Sequence, residues 1–155
     1  MRRLLALGLT TVALSGCGLP TEPASPGERW IRGDTPEGLA RLELGARHTG
    51  DLRVRMTCRP HEGAVDVTVM GRPGDAALIE LHSGQVWNRY MGAGHPSDET
   101  PGEVDVDLKL AAADPMLDQL AATGQLTVMF GARRTILPNA FAPAHDFLAV
   151  CRLPG

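Results

Sequence analysis

Alternation of apolar and polar residues limits the folds open to this chain more than any other feature. Leu52–Cys58 reads LRVRMTC, with Leu52, Val54, Met56 and Cys58 on one side and Arg53, Arg55 and Thr57 on the other. Glu103–Leu110 reads EVDVDLKL and sends Val104, Val106, Leu108 and Leu110 inward, with Asp105, Asp107 and Lys109 toward solvent. Successive side chains point to opposite faces of a strand, so these segments bury one clean face only as β structure. Ala40–Leu44, Val65–Met70, the shorter Ala77–Leu81 and Leu126–Phe130 carry the same period, and Thr135–Leu137 is a candidate partner after Gly131. Turn residues separate them at Arg59–Gly63 and His82–Gly84.

Two segments break that rhythm. Asp114 is a good N-cap with Pro115 at the first helical position, and Gly124 closes a stretch in which Met116, Leu117 and Leu120 share a face. Pro143 opens a second short helix to Cys151, with Phe147, Leu148 and Cys151 on one side. Short strands with Gly/Pro turns and these helices predict a mainly β domain, an antiparallel sandwich or open barrel, with one or two short helices including a C-terminal one.

At 155 residues the chain fits one domain. A hydrophobic fraction of 43% is enough for a core, and an aromatic fraction of 4% means that core is mostly Val, Leu, Ala and Met. The 15 basic residues include a single Lys, Lys109, a bias we attribute to a GC-rich genome because Ala, Gly and Pro are also abundant.

The amino terminus reads as an export signal. Arg2 and Arg3 form a positive region, and Leu4–Leu14 is an apolar run too short to span a bilayer comfortably. Leu14-Ser15-Gly16-Cys17 follows: a branched apolar residue, two small residues and a cysteine. This resembles the lipobox of bacterial lipoproteins. The resemblance implies cleavage before Cys17 and a diacylglycerol on its thiol; more than one acyl chain anchors a protein stably. Gly18, rather than Asp, is compatible with sorting to the outer membrane of a Gram-negative host, facing the periplasm. The expected organisation is a signal peptide over 1–16, a lipidated flexible tether over 17–29, rich in Pro, Ser and Gly, and a single β-rich domain over 30–155. Processing removes Arg2 and Arg3 and leaves 13 basic residues against 18 acidic, a net charge of about −5. An acidic domain without a basic stripe is a poor candidate for nucleic acid or for electrostatic binding to anionic lipid.

With Cys17 lipidated, Cys58 and Cys151 remain, both on apolar faces and exported to an oxidising compartment. They are expected to form a disulfide that fastens the C-terminal helix to an inner strand; the alternative is two buried thiols. No C-x-x-C spacing supports redox catalysis.

No catalytic pattern stands out in the sequence. His48, His61, His82, His95 and His145 have no His partner at metal-ligand spacing, and no phosphate-binding Gly-rich loop or G-x-S-x-G elbow occurs. His95, Asp98 and Glu99 fall together in Asn88–Gly102, read as a long polar loop; Trp87 and Tyr90 beside it are candidate exposed aromatic anchors. Candidate partner-binding residues are therefore Trp87, Tyr90 and His95, with no metal or cofactor expected.

The layout of the mature domain resembles the small lipoproteins of GC-rich proteobacteria, on Met56–Arg59, Asp114–Val128 and Phe147–Arg152. A fainter likeness, in layout only, is to periplasmic accessory proteins of type VI secretion. Neither implies an active site. The expected function is a non-enzymatic binding or structural module, held to the membrane by its lipid and meeting another envelope protein or a cell-wall component. The alternatives are an inhibitor of an exported hydrolase that presents Asn88–Gly102, and a hydrolase using His95 or His145.

Overall fold

The computed structural model describes residues 21–23, 27–45, 52–71 and 78–152. The signal segment, Cys17, His48 and Ala77 lie outside the described residues. In chain order the elements are β1 (Thr21–Pro23), β2 (Arg29–Asp34), β3 (Ala40–Gly45), β4 (Arg53–Cys58), β5 (Ala64–Gly71), β6 (Leu78–Ser83), β7 (Val86–Met91), β8 (Ala93–Pro96), β9 (Val104–Ala111), α1 (Pro115–Thr123), β10 (Thr127–Phe130), β11 (Arg133–Ile136) and α2 (Phe141–Arg152).

The strands form two sheets, one ordered β1-β11-β10-β6-β7 and the other β2-β3-β4-β5-β9-β8. Among the described residues every pair is antiparallel except β1 with β11. The alternating segments behave as their period requires. Val54, Met56 and Cys58 of β4 and Val65, Val67 and Val69 of β5 are buried, and their neighbours face outward. Ile79, Leu81, Val128 and Phe130 of the five-stranded sheet join them in one core cluster. Among the described residues the fold is thus mainly antiparallel β in two sheets, with two helices and no closed barrel.

The helices add their apolar faces to that core through Met116, Leu117, Leu120, Phe147 and Leu148. Asp114 caps α1 by accepting from the Met116 amide at 2.8 Å. Gly124 ends it in the left-handed region, φ 69°, and a Cβ there would lie 2.3 Å from the Phe141 nitrogen. The second helix begins at Phe141, two residues before Pro143. Proline lacks an N–H, and in the first turn none is needed, so Pro143 sits inside that turn rather than opening it. Asn139 Oδ1 accepts from the Phe141 amide. Cys58 bonds Cys151 across 93 residues and ties α2 to β4.

Two expectations are corrected, those for Asn88–Gly102 and Asp105, and a short strand lies within the range expected as tether. The stretch assigned to the tether contains β1, in which Thr21 and Pro23 lie opposite Arg134 and Ile136; proline is tolerated there because β1 is an edge strand. Asn88–Gly102 is not one loop: β7 runs to Met91 and β8 follows at Ala93, leaving a turn only after Pro96. Between them Gly92 carries the chain from the edge of one sheet to the edge of the other. A Cβ at Gly92 would meet Val106 Cγ1 at 2.4 Å and the Asp107 carbonyl at 2.7 Å, so only glycine fits this crossing. Asp105, expected in solvent, is buried. It shares an outer row with Arg53, Met70 and His95, and the 97–103 segment folds back over that row to reach Arg53.

Candidate functional site

The outer face of the five-stranded sheet follows from its register. Pro23, Ile136, Thr127, His82 and Trp87 line up across the five strands, and Thr21, Arg134, Met129, Glu80 and Arg89 form the next row. Leu78 lies opposite Met91 in a third. On this face Trp87 is 56% exposed and Met91 77%, with Leu78 and Ile136 also exposed. Scattered apolar residues on a surface are ordinary, but several sharing one open face are the mark of a contact surface. At one end, Thr127 and Ile136 also line a depression of about 330 Å³ with Gln125, Leu126, Leu137 and Asn139.

Trp87 is held by its neighbours. The His82 ring stacks on the indole with centroids 6.0 Å apart, and the Arg89 guanidinium lies 5.6 Å from the indole centroid. Glu80, between them on the sheet, accepts from Arg89 Nε at 2.7 Å and from His82 Nε2 at 2.6 Å. The bond from Arg89, then that from His82, holds the Glu80 carboxyl below the usual carboxylate range. One carboxylate therefore fixes both side chains that frame the indole.

Tyr90 points the other way. Its position alternates with Trp87 across the strand, so it packs against the core and its hydroxyl donates to Asp114 Oδ1 at 3.0 Å. Burial, then the Asp114 charge, pushes its pKa up to about 12. Tyr90 is thus a brace between β7 and the start of α1 and not an exposed anchor. His95 stands on β8, in the other sheet, so the two edges separate it from Trp87. Its Nε2 donates to Asp107 Oδ2 at 2.9 Å, and Thr68 Oγ1 donates to Asp107 Oδ1. The Asp107 bond raises the His95 pKa.

His95, Asp98 and Glu99 do not converge. Glu99 accepts from Arg55 Nη1 at 2.7 Å and pairs with Arg53, while His95 goes to Asp107. His145 lies on α2 beside Asp146. Among the described residues no three His, Cys, Asp or Glu side chains group as metal ligands.

Met91, Leu78, Ile136 and the Glu80–His82–Arg89 frame went unrecognised in the sequence. The available signal was phase: in β6, β10 and β11 the residues out of step with Ile79, Leu81, Val128 and Thr135 include Leu78, Met129 and Ile136, apolar where an exposed face is normally polar. No protein-family model matches this chain, and neither does any curated protein or solved structure.

Proposed function

We propose that this chain is a lipid-anchored, non-enzymatic binding module of a bacterial envelope, held at Cys17 on the extracytoplasmic side of the outer membrane. Its contact surface is the outer face of the five-stranded sheet, which meets another component of the envelope, a protein, the cell wall or the lipid itself. The observation that carries the reading is the exposure of Trp87, Met91, Leu78 and Ile136 on one face that no described element covers. A side chain such as Trp87, rigid and framed by Arg89 and His82, loses little freedom on contact and is the kind of residue that dominates binding. The Arg2-Arg3, Leu4–Leu14 and Leu14–Cys17 pattern supports the anchor, and the Cys58–Cys151 disulfide suits an oxidising compartment. Among the described residues no helix is long and apolar enough to cross a membrane.

Oxidative footprinting tests the contact without knowledge of the partner. Trp87 and Met91 are expected to oxidise readily in the purified Cys17→Ser domain and to be protected in the native envelope. Equal oxidation in both settings would overturn the reading. Intact mass and membrane fractionation beside Cys17→Ser test the anchor: acyl mass on the native protein and release of the variant are expected.

A further inference from the structure

We infer that the surface met by the five-stranded sheet is the lipid of the membrane that carries the anchor, so that the domain lies flat on the bilayer through this face; the inference rests on lipidation of Cys17. Chain length limits how far the domain can stand from its anchor. Cys17 is four residues before Thr21, and four residues span at most about 14 Å. Thr21 begins β1, the edge strand of this sheet and no other. Lipidation therefore pins that edge within about 14 Å of the headgroups.

From that edge the domain can stand upright or lie down. Upright, Trp87 on β7 would be held four strand spacings, about 19 Å, further from the lipid. Lying flat, Pro23, Ile136, Met129, Leu78, Trp87 and Met91 reach the interface together. Tryptophan prefers that boundary, where an amphipathic ring meets both acyl chains and headgroups. The patch is small, but the anchor makes the contact intramolecular, so weak affinity suffices.

Charge does not oppose this placement. This face carries Arg89 and Arg134 against Glu80, with no excess of carboxylates to repel lipid phosphates. The opposite sheet mixes Glu43, Asp66, Asp107 and Glu99 with Arg41, Arg53, Arg55 and Lys109 on its outer face, so the anchor and the apolar side chains, rather than charge, select the face.

The test is Trp87 fluorescence in the acylated protein, purified from membranes and reconstituted into phosphatidylethanolamine–phosphatidylglycerol vesicles with and without brominated acyl chains. Trp30 is buried, so subtracting the Trp87→Phe spectrum isolates Trp87. The expected result is a blue shift relative to soluble Cys17→Ser and about twofold quenching by the brominated lipid, as for an indole at the interface. Emission identical to the soluble form, from vesicles whose bound protein has acyl mass, would overturn the inference and leave the anchor standing. A protein with no acyl mass that stays off the vesicles would overturn the anchor, and the inference with it. A dry Trp87 that ignores brominated lipid but cross-links to a second copy or another protein would also overturn it.

Discussion

The outer faces of the two sheets solve the problem of meeting solvent in opposite ways. On the six-stranded sheet, polar side chains are tied to one another. Glu43 pairs with Arg41 and Arg55, Arg55 with Glu99, Arg53 with Glu99 and Glu103, and His95 with Asp107. The 97–103 turn is part of this lattice, since Arg53 Nη2 also donates to Thr100 Oγ1 at 2.9 Å. On the five-stranded sheet, charge is confined largely to Glu80, Arg89 and Arg134, and Trp87, Met91, Leu78, Met129 and Ile136 share the face with His82, Thr21, Thr127 and Pro23. One face ties most of its charged groups to one another, although Arg55 Nε and Asp105 Oδ1 stay buried without a hydrogen-bond partner among the described residues. The other leaves apolar area in water, which is a standing cost unless something covers it. Two sheets over one core can therefore divide labour, with stability elements on one outer face and the proposed contact surface on the other.

This contrast can be broken or sharpened by substitution. The largest effect belongs to neither face. Replacing Cys58 and Cys151 together by Ser should lower unfolding free energy by roughly 4 kcal/mol on the chain-entropy account, a loss read in denaturant melts. Both faces should weaken together, since the disulfide fastens the core that the two sheets share. Arg53→Met comes next. It removes the guanidinium 2.9 Å from Glu103, whose side chain is only 4% exposed, and should cost about 2 kcal/mol. A midpoint unchanged by Arg53→Met would show that the lattice is ornamental. Trp87→Ala should move the midpoint by less than about 0.5 kcal/mol while abolishing contact, because Trp87 stands out from the core. A large loss of stability from Trp87→Ala would make that face structural and erase the contrast.

The smallest effects are protonic. Asp107 holds the His95 pKa above its ordinary 6.5 by accepting a hydrogen bond. The folded form thus favours the protonated ring. Its contribution is complete below the unfolded pKa and is lost as pH rises through the folded one. Asp107→Asn should bring the His95 titration, followed by NMR, down toward 6.5. Glu99 behaves inversely. The Arg55 bond lowers its pKa below 4.5, so its contribution is present above that value and lost as pH falls through the folded pKa. Acid should therefore loosen the 97–103 turn from the six-stranded face.

Legibility in the sequence tracked burial on one side. β4 throughout, and β9 from Val106 onward, alternate a buried and an open face, so their period announced them. α1 was readable to its ends because Asp114, Pro115 and Gly124 each serve a distinct backbone need. Edge strands were not readable. β2 buries Trp30 alone, β8 buries nothing, and β7 alternates only weakly, so ladder hydrogen bonds rather than packing define them. Trp87 was recognised as an exposed aromatic, yet the same reasoning misplaced Tyr90. Its partner Asp114 is 24 residues away, and only the register of β7 turns it inward. Asp105 was misassigned for a related reason, since a turn that folds back over its own sheet leaves no trace in the period of the strand beneath it.

The most direct test of the central claim compares the two outer faces in the living envelope. A photo-reactive residue is placed at Trp87 on the five-stranded sheet and, separately, at Thr57 on the six-stranded sheet, and adducts are counted by mass after illumination. The account predicts abundant adducts, lipid or protein, from position 87 and few from position 57. Equal yields, or adducts from position 57 alone, would contradict it.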